Sequence, residues 1–338
     1  MKALIVGLGS IGERHLNNLR MLVPHADITV WRQNTPPSRD GFRHQNANRI
    51  VYSVTDALDV KPDIAIITNP AAMHIMTGLK LAHEGTSLFI EKPFSNNLDG
   101  IEELIQLCHS HEQTLMIGYN LRFLSSLQLL KETIEEGVIG KTLSIIAEVG
   151  QYLPDWRPGI KYSKSVSAQN QLGGGALLEL SHELDYTRWL MGEVQTVSAQ
   201  TGKLSDLEMD VEDIADIHLQ FTNGAFGSIH LDMLQRTPSR TCKLIGTNGT
   251  LVWDGVLNSV RLYSAETQTW QDVFPAQALD RNEIYILELK HFIDCVENGT
   301  NPLITGEDGL QALKIALAAK ESALSHKVID LQLLFQGN

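Results

Sequence analysis

Residues 2–6 read KALIV, and the next six read GLGSIG. An apolar run flowing straight into Gly7-x-Gly9-x-x-Gly12 allows few folds, because each glycine answers a separate steric demand. The first permits a tight turn, the second lets backbone approach a ligand, and the third lets a helix lie close on the strand. Exposed N–H groups at that helix start, around Ser10 and Ile11, can hold phosphate oxygens. Strand, turn and helix in this order predict a dinucleotide site spanning Gly7, Gly9, Ser10, Ile11 and Gly12. A tight turn without a ligand is the plainer alternative.

The pattern then repeats its first step. Residues 11–22 place Ile11, His15, Leu19 and Leu22 along one side of a helix. Strands are expected at ITVW (28–31), DIAIIT (63–68), SLFI (87–90) and TLMIG (114–118), with helices at 72–83 and 98–109. Continuous apolar strands alternating with helices predict a parallel, doubly wound Rossmann sheet over residues 1–119. The character changes in residues 120–338. Residues 142–151 and 194–263 carry strand after strand, with Asn223-Gly224 and Asn248-Gly249 as hairpin turns. They predict an α/β domain built on one large, mainly antiparallel sheet. Helices are expected at 176–191, 281–297 and 307–325, with one or both of the last two packing back on the first domain.

Composition narrows the partners. At 338 residues the chain is longer than one core usually holds, and its net charge of −13 repels a polyanion such as nucleic acid. No run of about 18 apolar residues offers a membrane span. The start has one Lys and a short apolar stretch, unlike a secretory signal. Three widely spaced cysteines, Cys108, Cys242 and Cys295, read as reduced core residues of a cytoplasmic protein.

An acidic residue at the end of the second strand would hydrogen-bond an adenosine ribose. Trp31-Arg32-Gln33 stands there instead. Arg32 can pair with a 2′-phosphate and Trp31 can cover the adenine, which favours NADP(H) and leaves NAD(H) possible. A solvated loop Arg is the alternative. Thr68, Asn69 and His74 follow the third predicted strand and are placed along the cofactor cleft, with His74 a helix-start residue rather than an acid or base.

Residues 88–95, LFIEKPFS, pose the sharpest question. Glu91 and Lys92 leave a buried strand at the sheet edge where ligands of such folds bind. Pro93 fixes its own φ and biases Lys92 towards extended backbone, so the ammonium is aimed. A partly desolvated Lys beside a cationic nicotinamide gives up its proton more readily, which suits proton exchange with a hydroxyl or carbonyl. A surface ion pair beside a turn is the alternative.

Gly173-Gly174-Gly175 precede a predicted helix with Glu179, His182 and Asp185 at three-residue steps on one face. Carboxylates on either side of an imidazole can orient it and stabilise its protonated form. Metal binding lacks a second ligand cluster, so no metal is expected. Upstream, Arg157 can bind a carboxylate or phosphate, Trp156 can stack on a sugar, and Tyr162 lies in the same long segment. Asn120 and Arg122 follow the last parallel strand and are expected to face the same crevice.

These stretches together are similar to the Gfo/Idh/MocA oxidoreductase family: GLGSIG, TNPAAMH (68–74), EKPFS (91–95), GYNLRF (118–123) and GGGALLELSHELDYTRWLMG (173–192). The resemblance runs the length of the chain in the same order. It implies that Lys92 lies at the nicotinamide and substrate with His182 as its partner. It also implies an open C-terminal sheet through which homodimers or homotetramers pack. The commonest family pattern has Asp four residues before the His, whereas Glu179 stands three before it. This spacing, YLPDWRPGIKYSKSVSAQN before it and QRTPSR (235–240) after it resemble members of surface-sugar and sialic-acid-like pathways. The expected reaction is hydride transfer between NAD(P)(H) and a secondary alcohol or ketone of a sugar derivative. A non-catalytic nucleotide- and sugar-binding sensor, and a lyase or glycosidase using bound NAD transiently, are the rival readings.

Overall fold

The structure is a computed structural model that describes residues 1–32, 44–157 and 159–335. It divides into two compact units. The first is Met1–Asn120 with Arg281–Leu310, and the second is Leu121–Asp280 with Gln311–Asn338. The chain thus returns to its first unit after building most of the second, a discontinuity that a division at residues 119 and 120 does not contain.

The first unit runs β1 (Lys2–Val6), α1 (Ser10–Leu22), β2 (Asp27–Trp31), β3 (Arg49–Val51), α2 (Val54–Asp59), β4 (Ile64–Ile67), α3 (His74–Ala82), β5 (Ser87–Glu91), α4 (Ile101–Ser110) and β6 (Leu115–Gly118). All six strands are parallel, in the order β3-β2-β1-β4-β5-β6. Strand order reverses between β1 and β4, which opens the crevice where ligands bind in such sheets. Residues of β1, β4 and β5 such as Leu4, Ile5, Ile66 and Phe89 are fully buried, as expected of strands covered on both faces. Strand β3 was not anticipated: its three residues are too few to show a period. The Ile304 carbonyl accepts the Ile117 N–H, and Thr305 bridges Met116, so the outer edge of β6 is covered.

The second unit begins with α5 (Ser125–Glu135) and β7 (Thr142–Gly150), followed by two short helices, α6 (Ala176–Glu179) and α7 (His182–Met191). Then come β8 (Val194–Gly202), β9 (Ile214–Phe221), β10 (Phe226–Asp232), β11 (Ser239–Gly246), β12 (Gly249–Asp254), β13 (Ser259–Ser264) and β14 (Thr269–Phe274). Helix α8 (Arg281–Asn298) belongs to the first unit, and the unit boundary falls within α9 (Gly306–Ser325). Strand β15 (Ile329–Asp330) and α10 (Leu331–Phe335) close the described chain.

Nine strands form one sheet, ordered β14-β13-β12-β11-β7-β10-β9-β8-β15. Only β7 and β10 pair in parallel, so the sheet is mixed and mainly antiparallel. The β9–β10 turn contains Asn223-Gly224 as expected. Gly224 has a φ of +83°, and the Asn223 side chain accepts the Ala225 N–H and donates to the Met191 carbonyl. Alternation gives the sheet two faces. Ala215, Ile217, Leu219 and Phe221 of β9 point inward, while Asp216, His218 and Gln220 point out. Inside, Trp253 packs edge-on against Tyr186 at 5.7 Å and donates its indole N–H to Ser126 Oγ. The outer face exposes Ile146, Phe226 and Trp270.

Candidate active site

Each unit holds its own set of polar groups. In the first, β1 ends at Val6 and Gly7 turns the chain with φ +89°, its N–H held by the Trp31 carbonyl. Helix α1 starts at Ser10 with Gly9 as N-cap, so no side chain occupies the first N–H groups. A methyl group at Gly9 would meet nothing within 4 Å, whereas one at Gly12 would overlap the Gly7 carbonyl and lie 2.6 Å from Thr68 Oγ1. Gly9 thus leaves room for a ligand, and Gly12 makes room for the fold. This uncapped helix start, with open space at Gly9, fits a pyrophosphate. Gly12→Ala is expected to cost about 1–3 kcal/mol of stability through overpacking. Gly9→Ala is expected to melt like the parent but to bind NADH less tightly. Thermal melts and fluorescence titration of the two variants check this.

Thr68 donates through Oγ1 to the Val6 and Gly7 carbonyls, so it braces the glycine loop. Asn69 donates to Thr77 Oγ1, and its buried Oδ1 has no protein partner. That orphaned acceptor, beside the loop, is a second feature suited to a ligand donor. His74 begins α3 and touches two backbones, the Asn69 carbonyl at 2.7 Å and the Pro93 carbonyl at 3.0 Å. Burial holds its imidazole below the usual histidine range, against the pull of both carbonyls and the Glu91 charge. His74 is therefore a strut between two loops, with its ring spent on protein rather than on cofactor. Trp31 is buried at the end of β2. Arg32 is half-buried, and Gln33 lies outside the described residues.

At the end of β5, Lys92 is half-buried, and its peptide bond to Pro93 is cis. Glu91 is 7% exposed and turns its carboxylate inward, accepting from His15 Nε2 at 2.7 Å and from the Lys92 N–H at 3.2 Å. The sequence placed Glu91 among the cofactor ligands, but the geometry spends its carboxylate on α1 and on its own backbone. Asn120 is buried and hydrogen-bonds the Tyr285 side chain, whose hydroxyl is pushed up chiefly by burial.

In the second unit, Arg122 and Asp185 form a bidentate ion pair, Nε to Oδ2 at 3.0 Å and Nη2 to Oδ1 at 2.6 Å, each residue 2% exposed. Sequence reading gave Arg122 to substrate and Asp185 to the tuning of His182. The structure pairs them with each other, and each cancels the other's buried charge. The helix expected at 176–191 is two helices, broken at Leu180 and Ser181, where the Leu180 backbone leaves helical geometry. Glu179, at the end of α6, and His182, at the start of α7, consequently do not share one helical face. Glu179 is half-exposed and accepts from Ser167 Oγ at 3.0 Å. His182 is half-buried in the first turn of α7.

Part of the long segment before the glycines forms one cleft. Trp156, Arg157 and Tyr162 line one cleft with Leu153, Ile160, Ser165 and Ser167. Trp156 donates its indole N–H to the Gln151 carbonyl, and the Tyr162 hydroxyl accepts the Glu208 N–H. Ser167 links this cleft to Glu179. Sequence reading missed Glu212, whose carboxylate accepts the Leu177 N–H at the start of α6, and Glu183, which is fully buried against Arg240. The acids carried no local signal of partners so far along the chain. Among the described residues, no group of three or more His, Cys, Asp or Glu is placed to hold a metal, and no helix is long and apolar enough to cross a membrane.

A six-stranded parallel sheet with a glycine loop at its switch point, followed by a domain on a large mixed sheet, defines a two-domain nicotinamide-nucleotide oxidoreductase. Comparison with known proteins gives the same class. Residues 1–119 match the oxidoreductase family's NAD-binding Rossmann fold, and residues 131–331 match its C-terminal alpha/beta domain. The chain belongs to the Gfo/Idh/MocA oxidoreductase family. It is 28% identical to myo-inositol 2-dehydrogenase of Thermotoga maritima, covering 98% of this chain and 99% of that one. It is 27% identical to scyllo-inositol 2-dehydrogenase (NAD(+)) of Bacillus subtilis, covering 95% and 94%. Among solved structures, a levoglucosan dehydrogenase in complex with NADH shares the fold with a TM-score of 0.87, at 22% identity over 98% of this chain and 99% of that one.

Proposed function

We propose that the protein transfers a hydride reversibly between a nicotinamide dinucleotide and a secondary alcohol or ketone of a sugar or sugar derivative. The observation that carries this is the Lys92 corner: an amine at the carboxyl end of β5, in the same unit as a glycine loop built for a dinucleotide. The nicotinamide, when bound, supplies the hydride chemistry. Lys92 holds and moves the proton of the reacting hydroxyl. His182 assists that proton, and Glu179 orients the substrate side through Ser167. Trp156, Arg157 and Tyr162 receive the sugar, with the Trp face against its ring and Arg157 on an anionic group where one is present. Inositol and sugar dehydrogenases among the relatives support this substrate class.

NADP(H) is the cofactor favoured by the end of β2, where Arg32 stands in place of an acid, with NAD(H) as the other candidate. The outer face of the nine-stranded sheet, with Ile146, Phe226 and Trp270 exposed, is the surface proposed for a homodimer or homotetramer. Three buried, unpaired cysteines support a cytoplasmic setting.

A screen of sugars, inositols, nucleotide sugars and nonulosonates with both cofactors tests the reading. Lasting accumulation of reduced nicotinamide with one of them is the expected result. Binding without turnover would indicate a sensor. Product formation without net reduction would indicate a lyase or glycosidase.

A further inference from the structure

Behind the Lys92 corner, the first unit buries two carboxylates, Glu91 and Glu288. Glu91 ends β5 and Glu288 lies on α8 within reach of its charge, and Glu288 is fully buried with no hydrogen-bond partner for either oxygen. Two carboxylates in one dry site cannot both stay ionised. Geometry decides which one carries the charge. Glu91 has two donors, the His15 Nε2–H and the Lys92 backbone N–H, and Glu288 has none. An anion without donors is the costlier state, so Glu288 takes the proton. The other facing groups give Glu288 no hydrogen bond. His15 and Arg14 come from α1, and Tyr285 comes from α8, with the Arg14 guanidinium 4.4 Å over the Tyr285 ring. His15 is fully buried and wedged edge-on between Phe89 and Tyr285, which fixes its Nε2 on Glu91.

We propose that Glu91 is a positioning residue of the reaction: it carries the single negative charge of the Glu91–Glu288 pair and, clamped by His15, holds the backbone from which Lys92 projects. This rests on the reading of Lys92 as the proton-handling amine. Gly118 is part of the arrangement, since a methyl group there would lie 3.3 Å from the Glu91 Cα and Cδ. Burial first, and then the Glu91 charge, hold the Glu288 carboxyl well above its ordinary 4.5.

The proposal has a signature independent of turnover. The folded chain keeps a proton on Glu288 that the unfolded chain releases above pH 4.5. Stability from this group is therefore full at low pH and is lost as pH rises towards the raised value, about tenfold in the unfolding constant per pH unit. Unfolding of the full chain, followed as the pH is raised from about pH 5, is expected to show this fall. Glu288→Gln, which keeps the shape and needs no proton, is expected to abolish it. The second measurement is acetylation of Lys92 by acetic anhydride at a series of pH values, followed by mass spectrometry. Glu91→Gln loses the charge that His15 clamps and loosens the backbone from which Lys92 projects, so the Lys92 reactivity profile is expected to differ from the parent's. Glu288→Gln is expected to leave that profile in place.

Glu91→Gln with lowered stability but an unmoved Lys92 profile would overturn the proposal, reducing Glu91 to a packing role. An equal pH slope in the parent and in Glu288→Gln would overturn the assignment of the proton. Undiminished turnover in Lys92→Met would instead remove the reading of Lys92 itself, which neither measurement depends on.

Discussion

Lys92→Met is expected to lower kcat by about 10²–10⁴-fold while the affinity for NADH, read by fluorescence titration, stays within about threefold. The size follows from what the residue does. A positioned proton carrier contributes that range to a hydroxyl oxidation, and methionine keeps the length of the stem without the amine. The affinity is expected to survive because the groups suited to the dinucleotide are elsewhere: the glycine loop, the uncapped start of α1 and the orphaned Asn69 oxygen. Glu91 and Pro93, which set the corner, are untouched, and their bonds to His15 and His74 use no atom of the Lys92 side chain. Steady-state kinetics on a substrate found by the screen measures it. Turnover equal to the parent would reject Lys92 as the proton carrier.

The largest effect on stability is expected at the other unit's buried pair. Asp185→Ala leaves the Arg122 guanidinium in a site where it is 2% exposed, without its bidentate carboxylate. Breaking such a pair costs about 3–5 kcal/mol, because one charge is left buried. For a domain of this size that lowers the melting temperature by roughly 10 °C. His182→Ala, three residues earlier and only partly buried, is expected to lower the melting temperature far less than Asp185→Ala and to lose activity. Replacing both Arg122 and Asp185 with apolar residues of similar volume is expected to recover much of the loss. Calorimetry across the set checks the assignment. A mild Asp185→Ala phenotype with lost turnover would return that residue to the chemistry.

What the chain disclosed in advance were its local rules. The glycine loop, the alternating strands and helices and the Asn-Gly hairpin depend on residues within a few positions of one another, so a linear reading finds them. The cleft of Trp156, Arg157 and Tyr162 also belongs to one segment. The pairings that decide what each polar group does were hidden, because their partners lie far off. His15 and Glu91 are 76 residues apart, and Arg122 and Asp185 are 63 apart. Nothing in ELSHELD, residues 179–185, marks Asp185 as spoken for, or shows that Leu180 and Ser181 interrupt the helix. A three-residue row of acid, His and acid looks the same whether it crosses one helix or two.

The discontinuous first unit has a consequence for biosynthesis. Its parallel sheet is complete in sequence by Gly118, but Ile304 and Thr305, which cover the β6 edge, and Glu288, which sits behind Glu91, are translated far later. At ordinary ribosome speeds, roughly ten to thirty seconds separate residue 120 from residue 281. Throughout that interval the nascent nucleotide domain carries an open strand margin and an unfinished wall, while the nine-stranded sheet is being made downstream. Birth order therefore runs against assembly order: the portion that emerges first is sealed only near the end.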